Sequence, residues 1–387
     1  MDTETEKVMF ALLRSAACGG LLSDEEKALY DAQQLPQLLH TARRHDVAHL
    51  LALGLKKNDL LDENDRQIET EIFRAVYRYE QLNYEMNVLC SALEAAQIPF
   101  LPLKGAVIRS IYPEPWMRTS CDIDILVHEE DLQKAIAYLT EHCAYRFEVK
   151  NSHDASMYTS GGNHIELHYG LIEQGKAQLA AAVLNEVWDT AVRCSGLEYR
   201  YEMPDEMFYF YHVAHMAKHF ENGGCGIRPF IDLWMLNHRA PFNQNQRSAL
   251  LEKGRLALFA EQAERLAETW LGEEEYNKIT KQMADYILRG GVYGTDKNRI
   301  AVQQQKEGGQ VKYALSKIFI PYSELRFHYP VLERHPYLTP LMEIRRWGKL
   351  IFCGHLKRTT NELKYNSSIP KEAAVEMRLF LKNIGLQ

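Results

Sequence analysis

The sequence lacks a C-x-x-C pair. Its seven cysteines (Cys18, Cys90, Cys121, Cys143, Cys194, Cys225 and Cys353) are odd in number and widely scattered, which excludes a disulfide framework or a zinc ribbon and fits a reducing cytoplasm. It also lacks any run near the roughly 18 uninterrupted apolar residues of a membrane span. The first residues, MDTETEK, are acidic and carry neither the basic nor the apolar region of a signal peptide, so no export and no membrane partner are expected. Positive charge is short as well: 45 Lys+Arg against 52 Asp+Glu give a formal net charge of −7. Affinity that comes from neutralising many phosphates is therefore not expected, and neither is a nucleic-acid partner. There is no internal repeat and no H-E-x-x-H motif.

What remains is a 387-residue chain, 46% apolar and 25% charged, which is the composition of a globular protein long enough for two or three packed units. Residues 1–97 carry helical periodicity almost throughout. Ser23 and Glu26 have capping-box spacing, and Ile68, Ile72, Val76, Tyr79, Leu82, Met86, Leu89 and Leu93 recur every three or four residues. From Ile98 the texture changes to short β-branched runs. Ile98–Leu103, Asp122–Val127 and Tyr145–Val149 read as strands, with helices expected over Ala106–Tyr112 and Glu129–His142. Gly161, Gly162 and Asn163 between Met157–Ser160 and His164–His168 signal a hairpin. Helical patterns return over about 205–289, and Gly290, Gly291 and Gly294 with the polar tract Gln303–Gln310 read as a loop. The expected fold class is α+β, a small mixed sheet between helical regions. The expected divisions are a helical region 1–97, an α/β core 98–172, a helical substrate-binding domain 173–300 and a helical C-terminal region 301–387.

The informative residues lie in that core. Side chains at i and i+2 of a strand share a face, so Asp122 and Asp124 point one way while Ile123 and Ile125 point the other. Two like charges side by side call for a cation, and hard oxygen ligands suit Mg²⁺ bound together with nucleotide phosphates. Glu166, between Ile165 and Leu167, repeats the pattern in another apolar strand. Gly105, with Ala106, lies where a strand passes into a helix, a junction that favours an anion. Lys104 and Arg118 place cations near the two ends of this element.

Leu103-Lys104-Gly105, the Arg118-x-x-x-Asp122-Ile-Asp124-Ile-Leu-Val run, His164-Ile-Glu166-Leu-His168 and the later His212-x-x-His215-x-x-x-His219 helix resemble the uncharacterised bacterial nucleotidyltransferase family, within the superfamily of DNA polymerase β-like fold. The resemblance covers most of the chain. It implies transfer of a nucleoside monophosphate from a nucleoside triphosphate (NTP) to a hydroxyl of a small-molecule, sugar or protein acceptor. Mg²⁺ (or Mn²⁺) would be held by Asp122, Asp124 and Glu166, and Lys104, Gly105, Ala106 and Arg118 would bind the nucleotide. Glu166 could instead be the general base. The superfamily commonly has serine after the glycine, and Ala106 departs from this, which leaves open a nucleotide-binding protein without turnover.

His212, His215 and His219 fall on one helical face, readable as an acceptor-pocket wall, as structural histidines or as the centre of a metal-dependent hydrolase. His164 and His168 share the strand face of Glu166 and are further substrate candidates. Arg228 and Asp232, at i and i+4, read as an ion pair.

Overall fold

The computed structural model describes residues 2–61, 66–172, 178–292, 294–352 and 356–386. The N-terminal periodicity becomes five helices: α1 (Thr3–Ala17), α2 (Asp24–Ala28), α3 (Leu35–Arg44), α4 (Ala48–Lys57) and α5 (Arg66–Ala95). The Ser23–Glu26 capping box closes the start of α2 in both directions. On α5 the predicted stripe turns inward: Ile68, Leu82, Leu89 and Leu93 are buried and Met86 packs beside them. Helix α5 ends with the Ile98 N–H donating to the Leu93 carbonyl, so the first residues of the expected strand serve as a helix cap.

The sheet has five strands: β1 (Phe100–Pro102), β2 (Asp122–Val127), β3 (Arg146–Lys150), β4 (Asp154–Tyr158) and β5 (His164–His168), in the order β1-β2-β5-β4-β3. Strands β2 and β5 run parallel and every other neighbouring pair is antiparallel. A parallel neighbour needs a crossover. Here the chain makes it through α7 (Leu132–His142), β3 and β4, and α6 (Gly105–Ile108) lies earlier, between β1 and β2. The predicted hairpin joins β4 to β5, with Gly162 at φ +80°, a backbone region that glycine enters without cost. The helix expected over Ala106–Tyr112 is shorter: α6 has four residues and passes into a 3₁₀ turn, because Pro113 and Pro115 supply no N–H to continue it.

Next come α8 (Gln178–Leu184), α9 (Val187–Thr190), a two-strand ribbon of β6 (Val192–Arg193) and β7 (Tyr201–Glu202), then α10 (Asp205–Glu221), α11 (Arg228–His238), α12 (Gln244–Lys253), α13 (Ala257–Leu271) and α14 (Lys278–Leu288). The chain forms two compact units, one of Met1–Ala217 with Gly226–Val292 and one of Lys218–Cys225 with Tyr293–Gln387. In the second unit the tract read as a loop is largely helix α15 (Asp296–Glu307). Ile300 and Ala301 bury against Tyr313 and Ile369, and the Gln304 amide donates to Asn366 Oδ1 at 2.6 Å. Glutamine is a good helix former, and these two contacts decide the conformation. The six described cysteines are free, and Cys353 lies outside the described residues. No described helix is long and apolar enough to cross a membrane.

Helices α1 and α4 approach at Gly54, where an added Cβ would collide with the Leu12 carbonyl oxygen. In an exposed helix Gly→Ala gains about 1 kcal/mol, whereas overpacking costs roughly 1–3 kcal/mol. Because the obstacle is backbone, the clash dominates. Gly54→Ala is expected to lower stability by about 1–2 kcal/mol in urea unfolding, and a stabilised variant would refute the contact.

Candidate functional site: a carboxylate cluster on the sheet

The β-branched residues of β2 and β5 form one apolar face. Ile123, Ile125, Val127, Ile165 and Leu167, with Ala155 and Met157 of β4, bury against Leu89 and Leu93 of α5 and Leu132 and Leu139 of α7. Alternation then fixes the other face. The register sets Asp122 beside His164 and Asp124 beside Glu166, so two carboxylates of one strand meet a third across a parallel pair.

Asp124 is 3% exposed, and two hydrogen-bond donors reach it. Its Oδ1 accepts from Lys104 Nζ at 2.7 Å and from His168 Nε2 at 2.8 Å. His168 Nε2 also lies 3.2 Å from Glu166 Oε2, and Lys104 Nζ lies 4.0 Å from the same oxygen. Burial alone would raise the Asp124 pKa, but the Lys104 ammonium and the His168 bond outweigh it and hold the carboxyl well below the usual range. The partners respond reciprocally. Burial favours neutral His168 and neutral Lys104, and the carboxylates overcome it, raising both pKa values. Asp122 behaves oppositely: burial and then the Asp124 charge raise its pKa, with Lys104 only partly offsetting them. Lys104 is presented by an uncommon backbone, φ +46° without being glycine, between β1 and α6.

Gly105 is closely packed, since a Cβ there would sit 3.2 Å from Ser120 Cβ and 3.4 Å from Arg118 Nη1. The Ala106 N–H already donates to the Leu103 carbonyl, so this turn offers an anion less backbone than the sequence suggests. Arg118 is buried. Its Nε donates to Asp232 Oδ1 at 2.7 Å and to Oδ2 at 2.9 Å, and Tyr112 Oη adds a 2.7 Å bond to the same carboxylate. Burial would raise the Asp232 pKa, and the Arg118 charge lowers it. The i, i+4 partner expected for Asp232 is thus replaced: Arg228 bonds Asp46 and, at 3.1 Å, the Thr119 carbonyl. The two arginines together fix the segment that leads into β2.

The structure brings Lys104, Asp122, Asp124, His164, Glu166 and His168 together. His212 bonds the Pro229 carbonyl at 2.9 Å, and burial lowers its pKa. His215 is half-buried with its ring 6.2 Å from that of Tyr211, and His219 belongs to the second compact unit. Tyr211, which the sequence did not single out, is buried near the cluster; burial raises its pKa, Lys104 opposes this, and Asp124, Glu166 and Asp122 add to it. Its only signal was a place beside His212 in an aromatic-rich helix. His153 was likewise missed and forms a possible ligand group with Asp154 and His168.

Two further groups, Asp122 with His164 and Glu166, and Asp124 with Glu166 and His168, bring ligand atoms within 4.8 Å of one another. Carboxylate oxygens joined by imidazole suit a hard to borderline divalent cation, and Mg²⁺ or Mn²⁺ fits this donor set.

A family model described as an uncharacterised nucleotidyltransferase matches residues 31–272, more than half of the chain. No curated protein and no solved structure matches. The chain belongs to that family of nucleotidyltransferases.

The electrostatics separate the two aspartates in metal-free protein. Asp124→Asn removes the buried carboxylate that Lys104 and His168 share and should cost about 3 kcal/mol, whereas Asp122→Asn relieves crowding and should be neutral or stabilising. Urea titrations at pH 7 in EDTA measure both, and equal losses would refute this charge distribution.

Proposed function

We propose that this member of the nucleotidyltransferase family transfers a nucleoside monophosphate from an NTP to a hydroxyl of a small-molecule, sugar or protein acceptor, with Mg²⁺ held by Asp122, Asp124 and Glu166. The observation that carries this reading is the parallel register that sets Asp124 beside Glu166, two residues from Asp122, on a face already balanced by Lys104 and His168. When bound, Mg²⁺ supplies Lewis-acid charge to the phosphates and lowers the pKa of the attacking hydroxyl.

The residues divide the remaining work. Asp124, fixed through Oδ1, is the rigid member of the set, and Asp122 completes it from the same strand face. The acceptor oxygen forms its bond to the α-phosphorus as the bond from that phosphorus to the bridging oxygen breaks, and pyrophosphate leaves with the electron pair. The hydroxyl proton leaves to solvent while Glu166, whose Oε1 lies 3.9 Å from His164, holds the metal; in its alternative role Glu166 takes that proton itself as general base. Lys104 meets the phosphate oxygens, and His164 and His168 border the substrate. Arg118 is a positioning residue: held by Asp232, it sets the approach of the chain to Asp122. The chain's net charge of −7 favours a small or protein acceptor over a nucleic acid.

The test is NTP-dependent pyrophosphate release with Mg²⁺ or Mn²⁺ over a panel of hydroxyl acceptors, alongside melting temperature. Glu166→Gln and Asp122→Asn should each reduce turnover by at least about a hundredfold. Asp122→Asn should also abolish the melting shift produced by Mg²⁺ with NTP. A wild-type protein whose melting temperature ignores every NTP and both metals at millimolar concentration would overturn the reading. Binding without pyrophosphate release across the panel would indicate a nucleotide-binding protein of the same fold.

A further inference from the structure

A cavity of about 250 Å³ opens between α3, α4, α5 and the segment Thr119–Cys121. It reaches the segment that leads into β2. Cys121 precedes Asp122, and Arg78, which lines the cavity, donates to the Cys121 carbonyl at 2.6 Å and to Asn163 Oδ1 at 2.8 Å. Those two acceptors immediately precede β2 and β5, so the cavity lies at the ends of the strands where Asp122 and His164 begin.

The charges of its wall do not cancel. Two carboxylates line it, and each is already claimed. Glu71 Oε1 accepts from Arg43 Nε at 2.9 Å and Nη2 at 2.6 Å, and Asp46 is held by Arg228 and by the Thr119 hydroxyl. Two more arginines remain. Arg78 bonds neutral oxygens, and Arg74, largely exposed, lies 3.7 Å from the Glu71 oxygen that Arg43 holds. Three arginines, Arg43, Arg74 and Arg78, against two carboxylates leave a positive surplus in the wall of a cavity in an acidic protein, and Arg228 adds its charge from behind Asp46. Guanidinium groups in that state select phosphate oxygens, which they can meet with paired N–H donors.

We propose that this cavity is the acceptor subsite and that it takes a small hydroxyl-bearing molecule carrying a phosphomonoester, with Arg74 and Arg78 on the phosphate. The assignment rests on the nucleotidyl-transfer reading for the word acceptor. The volume suits a molecule of sugar-phosphate size and excludes a folded polymer. Arg228 connects the two regions, since it binds Asp46 on the cavity wall and its charge also acts on Asp122.

The experiment is calorimetric titration of the full chain in EDTA with inorganic phosphate, ribose 5-phosphate, glycerol 3-phosphate and unphosphorylated ribose. At least one phosphomonoester should bind saturably and at least tenfold more tightly than ribose. Arg74→Ala should weaken that binding at least tenfold while keeping the melting shift given by Mg²⁺ with ATP. Arg74 is exposed, so folding is not at stake there; Arg78→Lys, which retains the charge but loses the fork, should weaken binding as well. Asp122→Asn should leave phosphomonoester binding intact. The proposal fails if no phosphate-bearing probe binds saturably at millimolar concentration, if ribose binds equally well, or if Arg74→Ala binds like the wild type. It also fails if ATP without metal competes with ribose 5-phosphate, which would assign the arginines to the nucleotide's own phosphates. Loss of the Mg²⁺–ATP response with phosphomonoester binding retained would instead sink the transfer reading and leave an anion site.

Discussion

The ion cluster around Asp124 is the constraint to which the rest of the site answers. Three carboxylates share one sheet face, with ligand atoms of Asp122 and Glu166 within 4.8 Å. At an effective dielectric of about 20, two such charges repel by roughly 3 kcal/mol, which is a large fraction of a domain's stability. The fold tolerates this because Lys104 and His168 converge on Asp124 and reach Glu166. The opposite face of the same strands supplies the anchoring. Its isoleucines and leucines bury against α5 and α7, so the strands cannot slip by one residue without exposing the core and inverting the carboxylates.

Holding the strands is not enough, because the chain must enter β2 at a fixed angle. That is the task of the Tyr112–Asp232–Arg118 cluster and of Arg228 with Asp46. Both connect the segment before Asp122 to distant parts of the first unit, α11 in one case and the end of α3 in the other. A buried arginine with a carboxylate is a poor source of net stability, but removal of either partner is costly, so the pair works as a geometric lock. The family match at residues 31–272 includes every member of both pairs. The match thus spans the sheet and these helices together, although the carboxylates themselves occupy only two short strands.

This division explains what could be read from the residues alone. Alternation of isoleucine and aspartate in β2, and of apolar residues with Glu166 in β5, announces strands with one acidic face, and the capping box and the α5 stripe announce helices. These are local signals with a period. The parallel pairing of β2 with β5 is not local, since some 40 residues separate Asp124 from Glu166, and pattern alone does not say which strands are neighbours. The partner of Arg118 was illegible for the same reason: Asp232 is 114 positions away, and the closer Arg228 at i, i+4 offered a plausible but different pairing. Gly105 was noticed for what it would let a phosphate do, whereas its close neighbours are Ser120 and Arg118. The tract at Gln303–Gln310 was read by polarity, and polarity cannot separate a loop from a helix whose buried contacts are Ile300 and Gln304.

Lys104 shows how the metal-free protein and a metal-bound state would be related. The three carboxylates of this face are met by the Lys104 ammonium and by His168, whose pKa their hydrogen bonds raise. A divalent cation between Asp124 and Glu166 would compete with the Lys104 ammonium for the same oxygens, because Lys104 lies 2.7 Å from one and 4.0 Å from the other. The ammonium sits on a flexible four-carbon stem, so it can yield those oxygens to such a cation. The left-handed backbone at Lys104 starts that stem from the turn between β1 and α6. The lysine that stabilises the carboxylate cluster is therefore also the group that a bound cation would release.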